Sequence, residues 1–175
     1  MIFSPENIII RELVSSDFDA LLYYLYHLSA ETKSRFGPHA FNPEAVIQFY
    51  NSNDVTGFVA ADTNNNLIIA YSIIKEGILH HDRNRLSAYQ YANIENNCCT
   101  YAPSVADNWQ GKGIGKLMFD HILNHCRQKL IRRIILWGGV QATNEKALHF
   151  YKKLGFVRLG QFEYNGLNQD MLLEI

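Results

Sequence analysis

A glycine-containing junction at residues 108–119 constrains the fold of this chain more than any other segment. The run NWQGKGIGKLMF leads from a strand-like segment directly into an amphipathic helical pattern. Glycines let a backbone approach an anion closely and turn several N–H groups toward it, and the N-terminus of the following helix adds a positive partial charge. Lys112 and Lys116 place two cations beside that end. The junction therefore predicts a phosphate-binding turn.

Two common phosphate-binding motifs do not fit this junction. A Walker A loop requires glycine where this chain has Gln110, and Leu117 stands at the position of the magnesium-binding hydroxyl. A dinucleotide-binding fingerprint that starts with Gly111 and Gly113 requires a third glycine where this chain has Lys116. No early βαβ pattern surrounds the segment either. The phosphate-binding turn therefore belongs to another class.

The junction resembles the coenzyme A pyrophosphate loop of the GCN5-related N-acetyltransferase (GNAT) superfamily. The signature of that loop is Gln/Arg-x-x-Gly-x-Gly/Ala, and Gln110, Gly113 and Gly115 match it. For so short a motif, a plain strand-to-helix connection is the alternative. A second run at residues 144–156, NEKALHFYKKLGF, resembles the superfamily's Asn-x-x-Ala-x-x-Phe-Tyr-x-x-x-Gly-Phe pattern. The two matches together favour the family.

The residues of the second run also predict a helix without any resemblance. Thr143 or Asn144 can cap its N-terminus, and Gly155 can adopt the left-handed conformation that ends it. Helical spacing of i, i+3, i+4 and i+7 places one apolar stripe on the helix: Ala147, Phe150, Tyr151 and Leu154. Core packing is therefore the alternative to a catalytic role for Tyr151. Helix capping is the alternative to coenzyme contact for Asn144, and one residue can do both.

Length and composition favour a single domain over residues 1–175. Of the 175 residues 47% are hydrophobic, which suits a sizeable core, and we find neither a repeat nor a linker. The formal net charge of -1 gives no basic footprint, so no nucleic acid and no membrane surface is expected as a partner. Residues 1–6 lack a basic region followed by a long apolar run, so no signal sequence is expected, and no apolar stretch approaches a membrane span. We expect a cytoplasmic location.

The cysteine and histidine residues predict neither a disulfide framework nor a metal site. The cysteines are odd in number and two are adjacent, so reduced thiols are expected at all three positions: Cys98, Cys99 and Cys126. The two imidazoles in the run 80–82 would point to opposite faces of a strand. Because no distant Cys/His pair has zinc-like spacing, no metal is expected.

The order of elements predicts an α/β fold with a mixed central sheet of about six to seven strands, flanked by helices. Strands are predicted at 7–12, 55–62, 67–75, 98–105, 133–137, 156–164 and 169–174. Helices are predicted at 18–29, 42–50, 113–129 and from residue 144. The strands at 98–105 and 133–137 should be parallel, and residues 165–166 should form a hairpin turn. This order resembles the acyl-CoA N-acyltransferase (GNAT) fold.

The resemblance implies acetyl-CoA as cosubstrate, bound in the V-shaped opening between the strand before Gln110 and the strand that starts at Arg133. The pyrophosphate would accept hydrogen bonds from the backbone of six consecutive residues: Gly111, Lys112, Gly113, Ile114, Gly115 and Lys116. Gln110 would help to hold the loop. The pantetheine arm would pair with the strand edge near Val105, and Asn144 would contact the coenzyme.

The implied reaction is direct attack of a neutral primary amine on the thioester carbonyl. The backbone N–H at or near Val105 would donate to the carbonyl oxygen, and Tyr151 would be the general acid that protonates the departing thiolate. Relatives with a glutamate base on the strand before the loop would place it near Cys99 or Thr100, and neither is a carboxylate. Three other groups stay open as the base, directly or through water: Glu95, His80 and His81.

The acceptor amine is left open by the sequence. Residues 31–41, ETKSRFGPHAF, lie in the region that borders the acceptor in this superfamily, and they combine aromatic, guanidinium and imidazole groups. Recognition of a polar ligand and loop packing under Phe36 and Phe41 are equal alternatives there. Residues 77–97 form a long connection that predicts a lid, an extended hairpin or a dimer contact.

More than one class of function fits these observations. The prediction is an acetyl-CoA-dependent N-acetyltransferase that acts on a small-molecule or protein amine, with a homodimer left open. A non-catalytic sensor or assembly module that binds CoA or acyl-CoA is the alternative, as is a transferase of another acyl group. Tyr151 favours the enzyme, and the missing strand carboxylate leaves room for the sensor.

Overall fold

The computed structural model describes residues 7–91 and 94–175, and it has a mixed α/β fold with a central mixed sheet flanked by helices. The expectation about a signal sequence falls on residues 1–6, outside this part. The helices are α1 Phe18–Tyr26, α2 Ala30–Ser34, α3 Pro43–Tyr50, α4 Arg83–Ala88, α5 Ile114–Gln128 and α6 Glu145–Lys153. The strands are β1 Ile8–Glu12, β2 Val55–Asp62, β3 Leu67–Glu76, β4 Cys98–Val105, β5 Arg133–Leu136, β6 Val140–Gln141, β7 Val157–Glu163 and β8 Leu167–Glu174. Within the described ranges, no helix is both long and apolar enough to cross a membrane.

The chain divides into two compact units, and the first comprises the described residues up to 74 together with 102–125. Its strands follow the order β1-β2-β3-β4, and β1 is antiparallel to β2. Strands β2 and β3 are buried along nearly their whole length, which explains their continuous rather than alternating apolar sequences. Helices α1, α3 and α5 supply fully buried side chains to this unit: Leu21, Leu25, Val46, Met118 and Ile122.

The second unit comprises residues 75–101 and 126–175, apart from the two undescribed positions. Strand β4 pairs with β5 in parallel, from Cys98 opposite Arg133 to Tyr101 opposite Leu136, so the predicted parallel pair is confirmed. Strand β8 lies antiparallel to β5 and also pairs with β6 and β7. Residues 165 and 166 have φ angles of 50° and 104°, the two positive values that a type I′ hairpin turn needs.

Short elements account for the differences from the sequence prediction. The described part contains eight strands rather than about six to seven, because β6 consists of two residues that pair only with Asn168 and Gln169. A strand of two residues is too short to show a periodic apolar pattern in the sequence. The first helix ends at Tyr26 instead of Ser29, and Ser29 caps the separate helix α2 inside the predicted loop 31–41.

The long connection at 77–97 is not an extended hairpin in its described part. It contains a 3-10 turn at His80–Asp82 followed by helix α4. Its apolar side chains join residues of β4, β5 and β8 in one buried cluster: Ile78, Leu86, Ile94, Cys98, Ile135 and Leu172. Arg85 of α4 makes two hydrogen bonds to the buried carboxylate of Asp170, at 2.8 and 3.1 Å. The connection is therefore a packed part of the second unit.

Replacing Gly160 with alanine should destabilise the fold by about 1–3 kcal/mol, because the added methyl group would clash with the half-buried Tyr89 ring. An added Cβ would lie 2.6 Å from Cζ of Tyr89, and the Tyr89 hydroxyl is held by a 2.8 Å hydrogen bond to Asp170. Chemical denaturation of the variant measures the loss. Gly37→Ala is the control, because a Cβ there meets nothing within 4 Å. Equal unfolding free energies of wild-type protein and Gly160→Ala would contradict the packing described.

Candidate active site

The predicted coenzyme loop forms a glycine turn at the start of helix α5, within the first unit. Gly111 and Gly113 have φ angles of 74° and 85°, in the left-handed region that favours glycine. A Cβ at either position would meet nothing within 4 Å. The backbone conformation, rather than a lack of space, therefore explains both glycines, and the space above them is open to a ligand.

The backbone N–H groups at this turn belong to the first residues of helix α5, which precede the first hydrogen bonds within the helix. The N–H groups of Lys116 and Leu117 donate to the carbonyl of Gly113 at 3.0 and 3.1 Å. The N–H groups of Ile114 and Gly115 come before these bonds, at the end of the helix that carries the positive partial charge. The Ile114 side chain is fully buried and fixes where the helix starts. This geometry suits an anion with several acceptor oxygens.

The two predicted cations differ in their surroundings. The Lys112 ammonium lies 5.1 Å from the ring centroid of Trp109. The Lys116 ammonium forms an ion pair with both carboxylate oxygens of Asp120, at 2.5 and 2.6 Å. An exposed pair of this kind contributes little stability, so it does not prevent Lys116 from facing an anion, although it reduces the charge available there.

Gln110 fastens the loop to the end of strand β4, as its predicted role requires. Its side-chain amide donates to the carbonyl of Val105 at 3.1 Å and to the hydroxyl of Thr32 at 3.4 Å. In the second unit the β4–β5 register ends at Tyr101 opposite Leu136, whereas β4 continues to Val105. The end of β4 at Val105, which was predicted to face the pantetheine arm, therefore lies past the last residue pair of β4 and β5.

Asp107 is a residue of this region that the sequence analysis missed. Its carboxylate accepts hydrogen bonds from the Ser29 backbone N–H at 2.8 Å, the Ser29 hydroxyl at 2.7 Å and the Thr32 hydroxyl at 2.6 Å. Burial raises the pKa of Asp107, but the hydrogen bonds from Thr32 and Ser29 outweigh burial and leave the pKa below its usual value. Ser29 was predicted at the end of the first helix, because local patterns do not reveal a partner 78 positions away.

In the second unit, Asn144 and Tyr151 lie on helix α6. The Asn144 side-chain oxygen accepts a hydrogen bond from the Ala147 N–H at 3.2 Å, so the capping alternative is realised. The Tyr151 ring is buried and packs edge-on against Phe156, with 5.4 Å between the ring centroids. Burial raises the pKa of the Tyr151 phenol above its ordinary value. The phenol is therefore protonated near neutral pH, and burial makes it a weaker acid than an exposed tyrosine.

The candidate bases make surface contacts in the second unit. His80 and His81 are exposed in the 3-10 turn, and His81 lies 3.5 Å from the Asp82 carboxylate. Glu95 forms an ion pair with Arg83 at 2.7 Å. Such contacts are typical of a solvated surface, and they do not distinguish any of the three residues as the base. The base therefore stays unassigned.

The two strand positions without a carboxylate serve packing. The Thr100 hydroxyl donates to the carbonyl of Gly77 at 2.9 Å. The Cys99 sulfur lies 3.9 Å from that of Cys126, and contact with this thiol together with burial raises the Cys99 pKa. All three cysteines are free and buried. Across residues 7–91 and 94–175, no group of three or more His, Cys, Asp and Glu side chains could hold a metal ion.

Residues 31–41 pack through their aromatic side chains in the first unit. The Phe36 ring is buried and lies 6.4 Å from Phe41 and 5.6 Å from Tyr71, measured between ring centroids. His39 donates from Nδ1 to the Ala40 carbonyl at 2.9 Å, which leaves Nε2 to accept from the Tyr71 hydroxyl at 3.0 Å. Burial lowers the His39 pKa and so favours this neutral ring. The packing alternative for Phe36 and Phe41 is realised, and ligand recognition stays a prediction.

Comparison with known proteins places this geometry in a family. The model of the acetyltransferase (GNAT) family matches residues 22–156. Among curated proteins, none matches the sequence. The chain resembles the GNAT domain of PAT from S. lividans, with 20% identity, a TM-score of 0.72, and coverage of 95% of this chain and 89% of that one.

Two further solved structures have similar folds. The ribosomal-protein-S18-alanine N-acetyltransferase from Escherichia coli is 17% identical, with a TM-score of 0.64 and coverage of 96% and 94%. A chimera of the spermidine N-acetyltransferase SpeG from Vibrio cholerae and hSSAT is 21% identical, with a TM-score of 0.68 and coverage of 96% and 95%. At these identities the likeness concerns the fold.

Three findings together define an acetyltransferase: the glycine turn, the helix that follows it and the family match. The chain belongs to the acetyltransferase (GNAT) family. The predicted family, the predicted fold class and the predicted enzyme class are thereby confirmed.

Proposed function

We propose that this chain transfers an acetyl group from acetyl-CoA to a primary amine by direct attack, and that residues 1–175 act as one N-acetyltransferase domain. One observation carries the proposal: the glycine turn at 110–116 presents backbone N–H groups at the start of a 15-residue helix. The open space above Gly111 and Gly113 would be filled by the coenzyme pyrophosphate. Family membership supplies the reaction class.

In this proposal the pyrophosphate accepts hydrogen bonds from backbone N–H groups of residues 111–116. Gln110 contributes indirectly, because its bond to the Val105 carbonyl fixes the start of the turn. The pantetheine arm would follow the β4 edge near Val105, where splayed strands leave backbone groups to pair. Asn144 would contact the coenzyme in addition to capping α6. Acetyl-CoA supplies the activated acetyl group, and no residue here is assigned to a metal.

The chemical step needs an oxyanion donor, an acid and a base. The backbone N–H at or near Val105 would stabilise the negative charge on the thioester oxygen. Tyr151 would give its proton to the thiolate that leaves, because the phenol is protonated near neutral pH. The amine would lose its proton to a group or a water chain that we do not assign.

The acceptor would be a small-molecule amine or a protein amine. The similar folds include one enzyme named for spermidine and one named for the alanine of a ribosomal protein, so both classes occur on this architecture. Residues 31–41 would border the acceptor and select it. The cytoplasmic location and the homodimer stay predictions.

A thiol-release assay tests the proposed transfer. Purified protein and acetyl-CoA are incubated with polyamines, amino sugars, amino acid amides or short peptides, and free CoA thiol is measured over time. Acetylation of at least one amine class, verified by mass spectrometry of the product, is expected. Tight CoA binding without transfer to any of these amines would instead favour the sensor or assembly module. Transfer from longer acyl-CoA esters but not from acetyl-CoA would reassign the acyl group.

A further inference from the structure

We propose that Asp107 is a positioning residue that couples the coenzyme loop to helix α2, the helix that begins the acceptor-side segment. The inference rests on the proposed function, because it assigns the loop to coenzyme and residues 31–41 to the acceptor. It adds that binding of the coenzyme orders the acceptor side of the first unit. Four residues are linked by hydrogen bonds and are here called the Asp107 network: Ser29, Thr32, Asp107 and Gln110.

The Asp107 network joins two segments that are distant in the chain. Asp107 accepts from both the backbone and the hydroxyl of Ser29 and from the hydroxyl of Thr32. Gln110 donates to the same Thr32 hydroxyl and to the Val105 carbonyl. The Ser29 hydroxyl in turn accepts from the Thr32 N–H as the N-cap of α2. One carboxylate thus orients the capping hydroxyl of the helix.

Helix α2 depends on this support because it is short and exposed. It has five residues, none of them buried, whereas an isolated helix of that length is unstable in water. Phe36, which follows the helix, is buried against Tyr71. The cap bound by Asp107 and the Phe36 ring therefore support the helix near its two ends, and loss of the cap should weaken it.

On the other side, Asp107 belongs to the 3-10 turn Asp107–Trp109 that leads into the glycine turn. The N–H of Gln110 donates to the Asp107 carbonyl at 3.3 Å, so the backbone of the turn and that of the loop are linked directly. An anion bound at residues 111–116 would restrict this backbone. Helix α2 would then dock on an already ordered carboxylate, which lowers the entropy cost of ordering it.

Hydrogen exchange measured by mass spectrometry, with and without saturating CoA, tests the coupling. In wild-type protein CoA should slow exchange at the loop 110–117 and, by about threefold or more, at residues 29–35. In Asp107→Ala the loop should still be protected by CoA, but residues 29–35 should not. Asp107→Asn should restore part of the effect, because its side-chain oxygen still accepts one hydrogen bond.

Asp17→Ala is the matched control for this experiment. Asp17 also lies in a 3-10 turn of the first unit and accepts hydrogen bonds from a side chain, Arg11, and a backbone N–H, that of Val14. Its removal should leave the CoA-dependent protection of residues 29–35 in place. If Asp107→Ala does not fold, Thr32→Val replaces it, because that change removes the hydroxyl shared by Asp107 and Gln110.

The outcomes separate this inference from the proposed function. Protection of the loop by CoA in both proteins, with equal protection of residues 29–35 in Asp107→Ala, would overturn the coupling and leave the coenzyme site intact. Failure of CoA to bind or protect the wild-type loop would overturn the proposed function, and the coupling with it. Selective loss of protection at residues 29–35 supports both.

Discussion

Replacing Gly113 with valine should weaken CoA binding by about 100-fold or more, while the protein still folds. At a φ of 85° a β-branched residue is strained by roughly 1–3 kcal/mol, so the turn would adopt another conformation. The N–H groups at the start of α5 would then no longer converge on the pyrophosphate, and each lost charge-assisted hydrogen bond costs about 1.5–3 kcal/mol. Calorimetric titration with CoA measures the change in dissociation constant.

Gly77→Val is the matched control for the loop variant. Gly77 has a φ of 76°, and a Cβ there also meets nothing within 4 Å, so the backbone strain is comparable. Gly77 lies outside the proposed coenzyme site, and its substitution should lower stability without changing the CoA dissociation constant of the folded protein. Equal CoA affinity of Gly113→Val and wild-type protein would show that the glycine turn does not bind the coenzyme.

Replacing Tyr151 with phenylalanine should lower turnover by about 100-fold or more, the usual contribution of a general acid. Only the hydroxyl is lost, so the ring keeps its packing against Phe156. The CoA dissociation constant should therefore change by less than about threefold, because the acid acts on the thiolate that forms during the reaction. Steady-state kinetics with a responsive amine and CoA titration measure the two quantities separately.

Tyr89→Phe is the control for this variant. Tyr89 lies in the same unit, and burial together with its bond to Asp170 raises its pKa to about 12, but it has no proposed role in catalysis. Its substitution should reduce stability and leave turnover of the folded enzyme unchanged. Unchanged turnover in Tyr151→Phe would remove Tyr151 as the acid and return it to the core stripe of α6.

The pH dependence of the rate gives a further check on Tyr151. Burial raises the Tyr151 pKa above the ordinary phenol value of about 10, so the acid stays protonated below that pH. Turnover should rise with pH as the amine loses its proton, and Tyr151 should cause no decline below about pH 10. A decline centred near pH 8 would assign proton donation to another group.

The parts of the fold that the sequence predicted well are those with strong local signals. The strands at 55–62 and 98–105 match the described bounds, and helix α5 differs from its predicted range by one residue at each end. Long periodic or apolar runs with caps and glycines at their ends define such elements. The glycine turn belongs to this class, since glycine is the residue type that most readily adopts the positive φ angles found at Gly111 and Gly113.

The parts that the sequence did not predict depend on distant partners. Helix α2 is too short for a periodic signal and is held by Asp107, 78 positions from the cap it binds. Helix α4 is held by Leu86 in the buried cluster and by the bond of the half-buried Arg85 to Asp170, which lies 85 positions away. Local propensity carries no information about such contacts. For the same reason the contacts of Asp107 could be recognised only in the folded chain.

The glycine turn at 110–116 is proposed to bind the pyrophosphate of coenzyme A, and calorimetric titration of the wild-type protein tests this claim most directly. Acetyl-CoA, CoA and ATP are titrated in turn under the same conditions. Saturable binding of acetyl-CoA and CoA, but not of ATP, is the predicted result. Absence of binding of both coenzymes by well-folded protein would contradict the claim and leave the turn as a structural connection between β4 and α5.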